Sequence, residues 1–430
     1  MNDVNSLAGA LMALDDKLIS CMKCGLCQAV CPVFGATMLE ADVTRGKIAL
    51  LENLAHNMIA DPEAVNEKLG RCLLCGSCQA GCPSGVNIMD IFMQARHIVA
   101  GYLGLSPAKK LIFRSLLANP GIFNTLTRLG LPFQGFVMRK QNNAQDTVCA
   151  PLLTKFLGER HIPALPAKPL HAVVPPLDTP AGKSGIRIAF FPGCMGDKLY
   201  TDMAKACLKV FAHHGVGVYM PSGLTCCGMP ALASGDQEGT VKQMIANVEV
   251  LKKRKFDHLV TPCGSCTAAI REWWPELAPE MPMEYRAAAR ELAAKAMDVN
   301  AFLIDVLKPE ASPQQTNAYK VTYHDPCHLK KSLGVSSQPR SVIRLNPACE
   351  LVEMAEADRC CGCGGSFNLF HYTISKKIGQ RKRNNVVNSG ARVVASGCPA
   401  CMMQLTDMLA QNKDDVTVKH PVELYAATLP

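Results

Sequence analysis

What this 430-residue sequence lacks narrows its chemistry early. No strand-like run is followed by G-x-G-x-x-G or by a P-loop, so no dinucleotide or nucleoside triphosphate site is visible. No run of about eighteen apolar residues occurs, which argues against a membrane-spanning helix. The opening MNDVNSLAGALMALDDK has no basic stretch, apolar stretch and cleavage site of the kind a secretory leader carries. No nucleic-acid recognition motif is present, and no acid–base constellation suggests hydride or hydrolytic chemistry.

What is there is cysteine, 22 residues of it. Without a leader, these thiols are expected in a reducing cytosol, where clustered cysteine means metal or redox chemistry rather than structural disulfides. The composition is 48% hydrophobic, enough for ordinary cores. The length suits roughly two to four domains.

Residues 21–83 hold one motif twice: Cys21, Cys24, Cys27 and Cys31-Pro32, then Cys72, Cys75, Cys78 and Cys82-Pro83. In C-x2-C-x2-C-x3-C-P, three thiolates can wrap one cubane while the fourth reaches a neighbouring one. This spacing predicts one [4Fe–4S] cluster on Cys21, Cys24, Cys27 and Cys82, and a second on Cys72, Cys75, Cys78 and Cys31. Structural zinc favours paired C-x2-C knuckles and leaves two triplet-plus-one runs unexplained. Residues 45–60 and 63–71 carry helix formers with apolar residues at helical spacing, so this ferredoxin-like unit reads as helical, and helix continues to about residue 140. Six prolines between 162 and 182 read as a stiff, extended linker at a domain boundary.

A longer repeat follows. Cys194, Cys226-Cys227-Gly228 and Cys263-x-x-Cys266 recur as Cys327, Cys360-Cys361-Gly362 and Cys398-x-x-Cys401, at offsets of 133, 134 and 135 residues. A drift of one residue per mark over such a length is the signature of tandem duplication. Short β-prone runs precede the marks (IRIAFF, VGVYM and HLVTP, then YKVTYHDP, ELVEMA and ARVVASG), with helical patterns between them. Strand, loop and helix in repetition predict parallel sheets whose carboxyl-end loops gather the cysteines. Helix N-termini at those loops favour an anionic group. The expected fold is α+β overall: a helical ferredoxin over 1–105, a helical segment and linker over 106–185, and two α/β units over 186–312 and 313–430.

The pattern C-x31–39-C-C-x35–36-C-x-x-C, present twice, resembles the CCG cysteine-rich domains of heterodisulfide reductase and its relatives. The resemblance implies a [4Fe–4S] site in each unit, on Cys194, Cys226, Cys227, Cys263 and Cys266, and on Cys327, Cys360, Cys361, Cys398 and Cys401. Adjacent cysteines fit two corners of one cubane poorly, so either a cubane or a non-cubane cluster using all five cysteines is compatible. Zinc is the competing reading. End to end, with RGKIALLENL, RCLLCGSCQAGCPSGV and FPGC in place, the chain is similar to the iron–sulfur subunit of glycolate oxidase and the related D-lactate dehydrogenase proteins. That resemblance implies an oxidoreductase subunit at the cytoplasmic membrane. It would take electrons from an FAD-containing 2-hydroxy-acid dehydrogenase and pass them to the quinone pool or another redox protein. The iron–sulfur subunit of anaerobic glycerol-3-phosphate dehydrogenase has the same layout. The succinate dehydrogenase subunit shares only the helical ferredoxin part, since its C-x4-C-x2-C run is missing here. A disulfide-reducing catalytic subunit is the alternative of a different class.

The formal charge of +9 fits this picture without nucleic acid. A [4Fe–4S] core on four thiolates carries roughly two negative charges, so the basic excess reads as counter-charge. The runs Lys252–Lys255 and Arg381–Arg383 read as solvated helix faces or docking patches. Cys149, Cys207, Cys349 and Cys363 fall outside the motifs and read as incidental thiols. His324 and His328 flank Cys327; a backbone-bonded loop histidine is the plainer reading, a sulfur or proton contact the sharper one.

Overall fold

The computed structural model describes residues 4–130, 139–140, 147–149, 159–311 and 313–430. In the N-terminal region the helices Val4–Met12, Thr44–Ala55, Pro62–Gly70 and Ile88–Leu103 pack on one another. Ile88, Ile91, Phe92, Ala95 and Val99 lie buried along one face of the last, at the spacing a helix needs to present one apolar stripe. Ile48, Leu51 and Leu54 do the same in Thr44–Ala55. Each large side chain so buried contributes about 1.5–3 kcal/mol, which is what stabilises helices too short to stand alone. Asp61 caps Pro62–Gly70, accepting from the Ala64 amide at 2.9 Å. Both cysteine runs lie between these helices, on loops and the short helices Cys27–Val30 and Ser77–Ala80. The loops turn alike, with Lys23 and Leu74 at φ 55° and 50°. Such a conformation is strained for non-glycine residues and is held here by the surrounding fold.

Two α/β units follow. The first sheet contains β4 (Leu177–Asp178), β5 (Arg187–Phe190), β6 (Gly217–Met220), β7 (His258–Thr261) and β8 (Ala296–Asp298), ordered β4-β6-β5-β7-β8. All its pairs are parallel except β4 with β6. The second contains β9 (Tyr319–Tyr323), β10 (Cys349–Leu351), β11 (Val393–Ala395) and β12 (Thr417–Lys419), ordered β10-β9-β11-β12 and wholly parallel. Without β4 the two orders coincide, so the duplication is visible in the backbone. The mixed α+β architecture is the one expected, but β8 and β12 lie beyond the six strands read from the sequence. A small antiparallel sheet of β1 (Arg139–Lys140), β2 (Thr147–Cys149) and β3 (Ile162–Pro163) is separate from both, with β3 packed on helix Pro399–Gln411.

The proline-rich stretch is seated rather than free. β4 pairs along the edge of the first sheet, and Leu170 is buried in that unit's core. Proline tolerates a sheet edge, where its missing amide is not needed. The two units also interlock. Helix Pro421–Ala426 packs on Thr201–His213, with the His214 ring and the Tyr425 hydroxyl 2.8 Å apart. No helix among the described residues is long and apolar enough to cross a membrane.

Candidate metal centres

The crossed sets expected in the ferredoxin part each share a cavity. Cys21, Cys24, Cys27 and Cys82 line one. Cys31, Cys72 and Cys75 line the next, and Cys78 borders both. Amides point at the sulfurs: Phe34 donates to Cys31 and Leu74 to Cys72, each at 3.4 Å. Burial pushes the Cys31 thiol up to about 12 and raises that of Cys78 as well. A thiolate persists in such a place when metal binding displaces its proton. Lys47, 1% exposed, and Arg96 lie beside Cys72 as buried cations. Cys24 is exposed at the other end, flanked by Met22 and Leu26 at 67% and 56% exposure.

In the α/β units every motif cysteine lies after a strand's carboxyl end. Cys194 follows β5, Cys226-Cys227 follow β6 and Cys263 follows β7, with β9, β10 and β11 doing the same for Cys327, Cys360-Cys361 and Cys398. Cys263 and Cys398 each stand at the N-cap of a helix, Gly264–Ala268 and Pro399–Gln411. The glycine of each pair is required by its backbone: Gly228 and Gly362 have φ 98° and 93°.

The thiols form a continuous string. Cys194 and Cys226 sulfurs are 3.9 Å apart. Hydrogen bonds then run from Cys226 to Cys227, Cys266 and Cys263. Cys263 meets Cys398 across the junction of the units. The string continues through Cys401, Cys361 and Cys360. Cys360 touches both Cys327 and Cys75 of the ferredoxin part. Bonds from Cys226 and Cys266 hold Cys227 well below the usual thiol range, as those from Cys360 and Cys401 do for Cys361. Buried sulfurs gathered together beside amide donors and cations make a donor set that fits iron–sulfur clusters.

Several residues around these sites had no distinct signal in the sequence. Lys331 donates to Ser77 Oγ at 2.5 Å, and the Cys75 thiol bonds the same hydroxyl at 3.4 Å. Lys382, inside one of the basic runs, is 1% exposed and donates to the Glu356 and Ala357 carbonyls. Burial brings it down to about 8. Its neighbours Arg381 and Arg383 pair with Glu356 and Asp414; Arg381 stays exposed, as a solvated face would have it, while Lys382 turns inward as a buried counter-charge. Lys252–Lys255 is exposed, as expected, but in the turn that follows helix Gln237–Leu251 rather than on a helix face. Asp298, the last residue of β8, is raised to about 7 by burial, and His420, just after β12, is lowered to about 3 by burial.

Cys207 is plain core packing, and Cys349 Sγ lies 3.3 Å from the Tyr319 hydroxyl. The Cys149 side chain lies outside the described residues. Cys363, read as incidental, is 1% exposed, and its amide donates to the Cys361 sulfur. His328 Nδ1 lies 3.1 Å from Ser265 Oγ, which is 3.6 Å from Cys398 Sγ. His324 Nδ1 is bonded to the Ala357 carbonyl at 3.1 Å, as the plainer reading had it. An open pocket lined by Phe123, Leu170, His171 and Lys198 runs up to Cys194 and Cys226.

Comparison with known proteins agrees with this layout. Residues 17–86 match the 4Fe-4S dicluster domain, and residues 188–271 and 321–406 each match the cysteine-rich domain family. The probable glycolate oxidase iron-sulfur subunit of Bacillus subtilis is 27% identical over 410 residues, covering 91% of this chain and 89% of that one. Lactate utilization protein A of Geobacillus kaustophilus is 31% identical over 56% of this chain and 99% of its own. A fumarate reductase (CoM/CoB) subunit of Methanothermobacter marburgensis is 25% identical over 95% of this chain and 72% of its own. The crystal structure of a hypothetical protein from Helicobacter pylori shares the fold at a TM-score of 0.54 and 9% identity, over 89% of this chain and 68% of that one.

Proposed function

Because the chain belongs to the family of glycolate oxidase and lactate-utilization iron–sulfur subunits, built from a dicluster ferredoxin and two CCG domains, we propose that it is an electron relay. Its donor is an FAD-containing 2-hydroxy-acid dehydrogenase subunit, acting on D-lactate or glycolate, and its outlet is a respiratory acceptor. It works in the cytoplasm or against the cytoplasmic face of the membrane. Bound [4Fe–4S] clusters, two in the ferredoxin part and one in each CCG domain, would supply one-electron chemistry. The four ligand sets are those named from the sequence, and the domain boundaries follow the same division.

The observation that carries this reading is the string of sulfur contacts from Cys75 through Cys360 and Cys398 to Cys194. The chain's own part is to hold four sites in line and keep water from the inner ones. Cys24, with its exposed apolar rim, suits docking of a donor. The pocket at Cys194 suits the outlet. The order would run from the Cys21 site to the Cys72 site, then to the C-terminal and finally the N-terminal CCG site.

Disulfide reduction is the second reading, favoured by two complete five-cysteine sites that face each other. Against it, Cys263 and Cys398 are both buried where the sites meet. Leu329 is packed so close to Gly264 and Gly397 that a Cβ there would come within 2.5 and 2.8 Å of it. The test is to load the purified chain with iron and sulfide and offer it a 2-hydroxy acid, with and without the FAD-containing subunit. Cluster reduction only when subunit and substrate are both present is the expected result. Turnover of a small disulfide by the chain alone, lost in Cys226→Ala, would favour the reductase instead.

A further inference from the structure

His324 follows β9 and is 1% exposed. Its Nδ1 lies 3.1 Å from the Ala357 carbonyl oxygen, which can only accept a hydrogen bond. Nδ1 therefore carries the ring proton, and Nε2 is left with an in-plane lone pair. That Nε2 is buried and has no hydrogen-bond partner among the described residues. A buried polar atom left in this way is unfavourable unless something else binds it. A ring nitrogen of His324 and the sulfurs of Cys361 and Cys401 lie within 4.8 Å of one another, and Nε2 is the nitrogen left free. An imidazole anchored through one nitrogen to a backbone carbonyl, with the other left free beside cysteine sulfurs, is an arrangement in which histidine binds metals.

The tandem repeat supplies the contrast. At the offset of 133 residues, the N-terminal unit has Phe191 in this place, and it too is fully buried. The neighbouring His328 differs as well, because its Nδ1 is engaged by Ser265 Oγ.

From these observations we propose that His324 Nε2 is an iron ligand of the C-terminal CCG site, making it a mixed nitrogen and sulfur centre while its N-terminal counterpart is all sulfur. The inference rests on the reading that this site holds an iron–sulfur cluster. The bond forms from the Nε2 lone pair to iron and releases no proton. A neutral imidazole brings no negative charge where a thiolate would bring one, so the site's reduction potential lies above that of an all-thiolate site with the same number of ligands.

The test uses the full-length, cluster-loaded chain, prepared with ordinary and with 15N-labelled histidine. Iron is counted first, and then pulsed EPR reads the nitrogen coupling of the C-terminal site. The expected result is a directly bound nitrogen signal that changes with the label, is lost in His324→Phe and persists in His328→Phe. A shift of the site's midpoint potential to lower values should accompany the loss in His324→Phe. The wild-type isotope comparison decides the matter even if that variant loads poorly. Full iron loading with no histidine nitrogen coupling, or only the weak coupling of a hydrogen bond, overturns the ligation and leaves the relay reading standing. Coupling that survives in His324→Phe also overturns it. A C-terminal site without iron overturns both.

Discussion

The two CCG units share strand order, cysteine spacing and the glycine after each cysteine pair, yet they are placed in different surroundings. The C-terminal site is enclosed. It touches the ferredoxin through Cys75 and Cys360, and it is backed by the buried Lys382 and faced by His324. The N-terminal site has Phe191 in place of His324 and Met229 in place of Cys363, and it opens through Cys194 onto a pocket bordered by His171 and Lys198. Duplication thus supplied two equivalent sulfur cradles, and their surroundings set one to face inward and the other outward.

The largest effect that sharpens the comparison lies at the shared glycines. A Cβ on Gly362 would come 2.8 Å from the Ser375 carbonyl oxygen, part of a helix backbone that cannot yield. On Gly228 it would come 2.9 Å from the Thr240 methyl, a side-chain end that can give. With the positive φ added, Gly362→Ala is expected to lower stability by about 3 kcal/mol and Gly228→Ala by about 2 kcal/mol. Urea unfolding of the loaded chain measures both. Equal losses would mean that the two loops are held by the same forces.

A smaller, pH-dependent contrast lies at the carboxyl end of the last strand of each unit. Asp298 is raised from 3.8 to about 7 when folded, so it contributes a loss of stability as pH rises across that window. His420 is lowered from 6.5 to about 3, so it contributes a loss as pH falls across its window. Between about pH 5 and 6.5 the two oppose each other. Relative to wild type, Asp298→Asn should gain stability with rising pH by about 1.4 kcal/mol per unit, and His420→Gln should lose it at about the same rate. Stability measured at several pH values within that range checks the signs, and parallel curves for wild type and both variants would refute them.

The sequence carried the parts of this structure that repeat at short period. The cysteine triplets, the helical spacing of Ile88, Ile91, Phe92 and Ala95, and the offsets of the CCG marks are local patterns, and the structure follows them. Strands β8 and β12 have three residues each, too few for alternation to be read. Lys382 looked solvated because Arg381 and Arg383 flank it, although a helix turns successive residues to different faces. The contact of Cys75 with Cys360 joins residues far apart in the chain, for which composition and periodicity hold no signal. His324 stands out in the sequence by its place near Cys327, but its free nitrogen depends on the Ala357 carbonyl, which only folding brings to it.

The order of the sites is the central claim, and it is tested most directly by interrupting the string on either side of the C-terminal site. Rapid-freeze EPR would follow reduction by the FAD-containing subunit and its substrate in Cys360→Ser and in Cys226→Ser. The relay order predicts that Cys360→Ser leaves the ferredoxin pair reducible while reduction of the N-terminal CCG site stalls. It predicts that Cys226→Ser leaves the ferredoxin pair and the C-terminal site reducible while the acceptor receives nothing. Reduction of the N-terminal site at the wild-type rate in Cys360→Ser would contradict it.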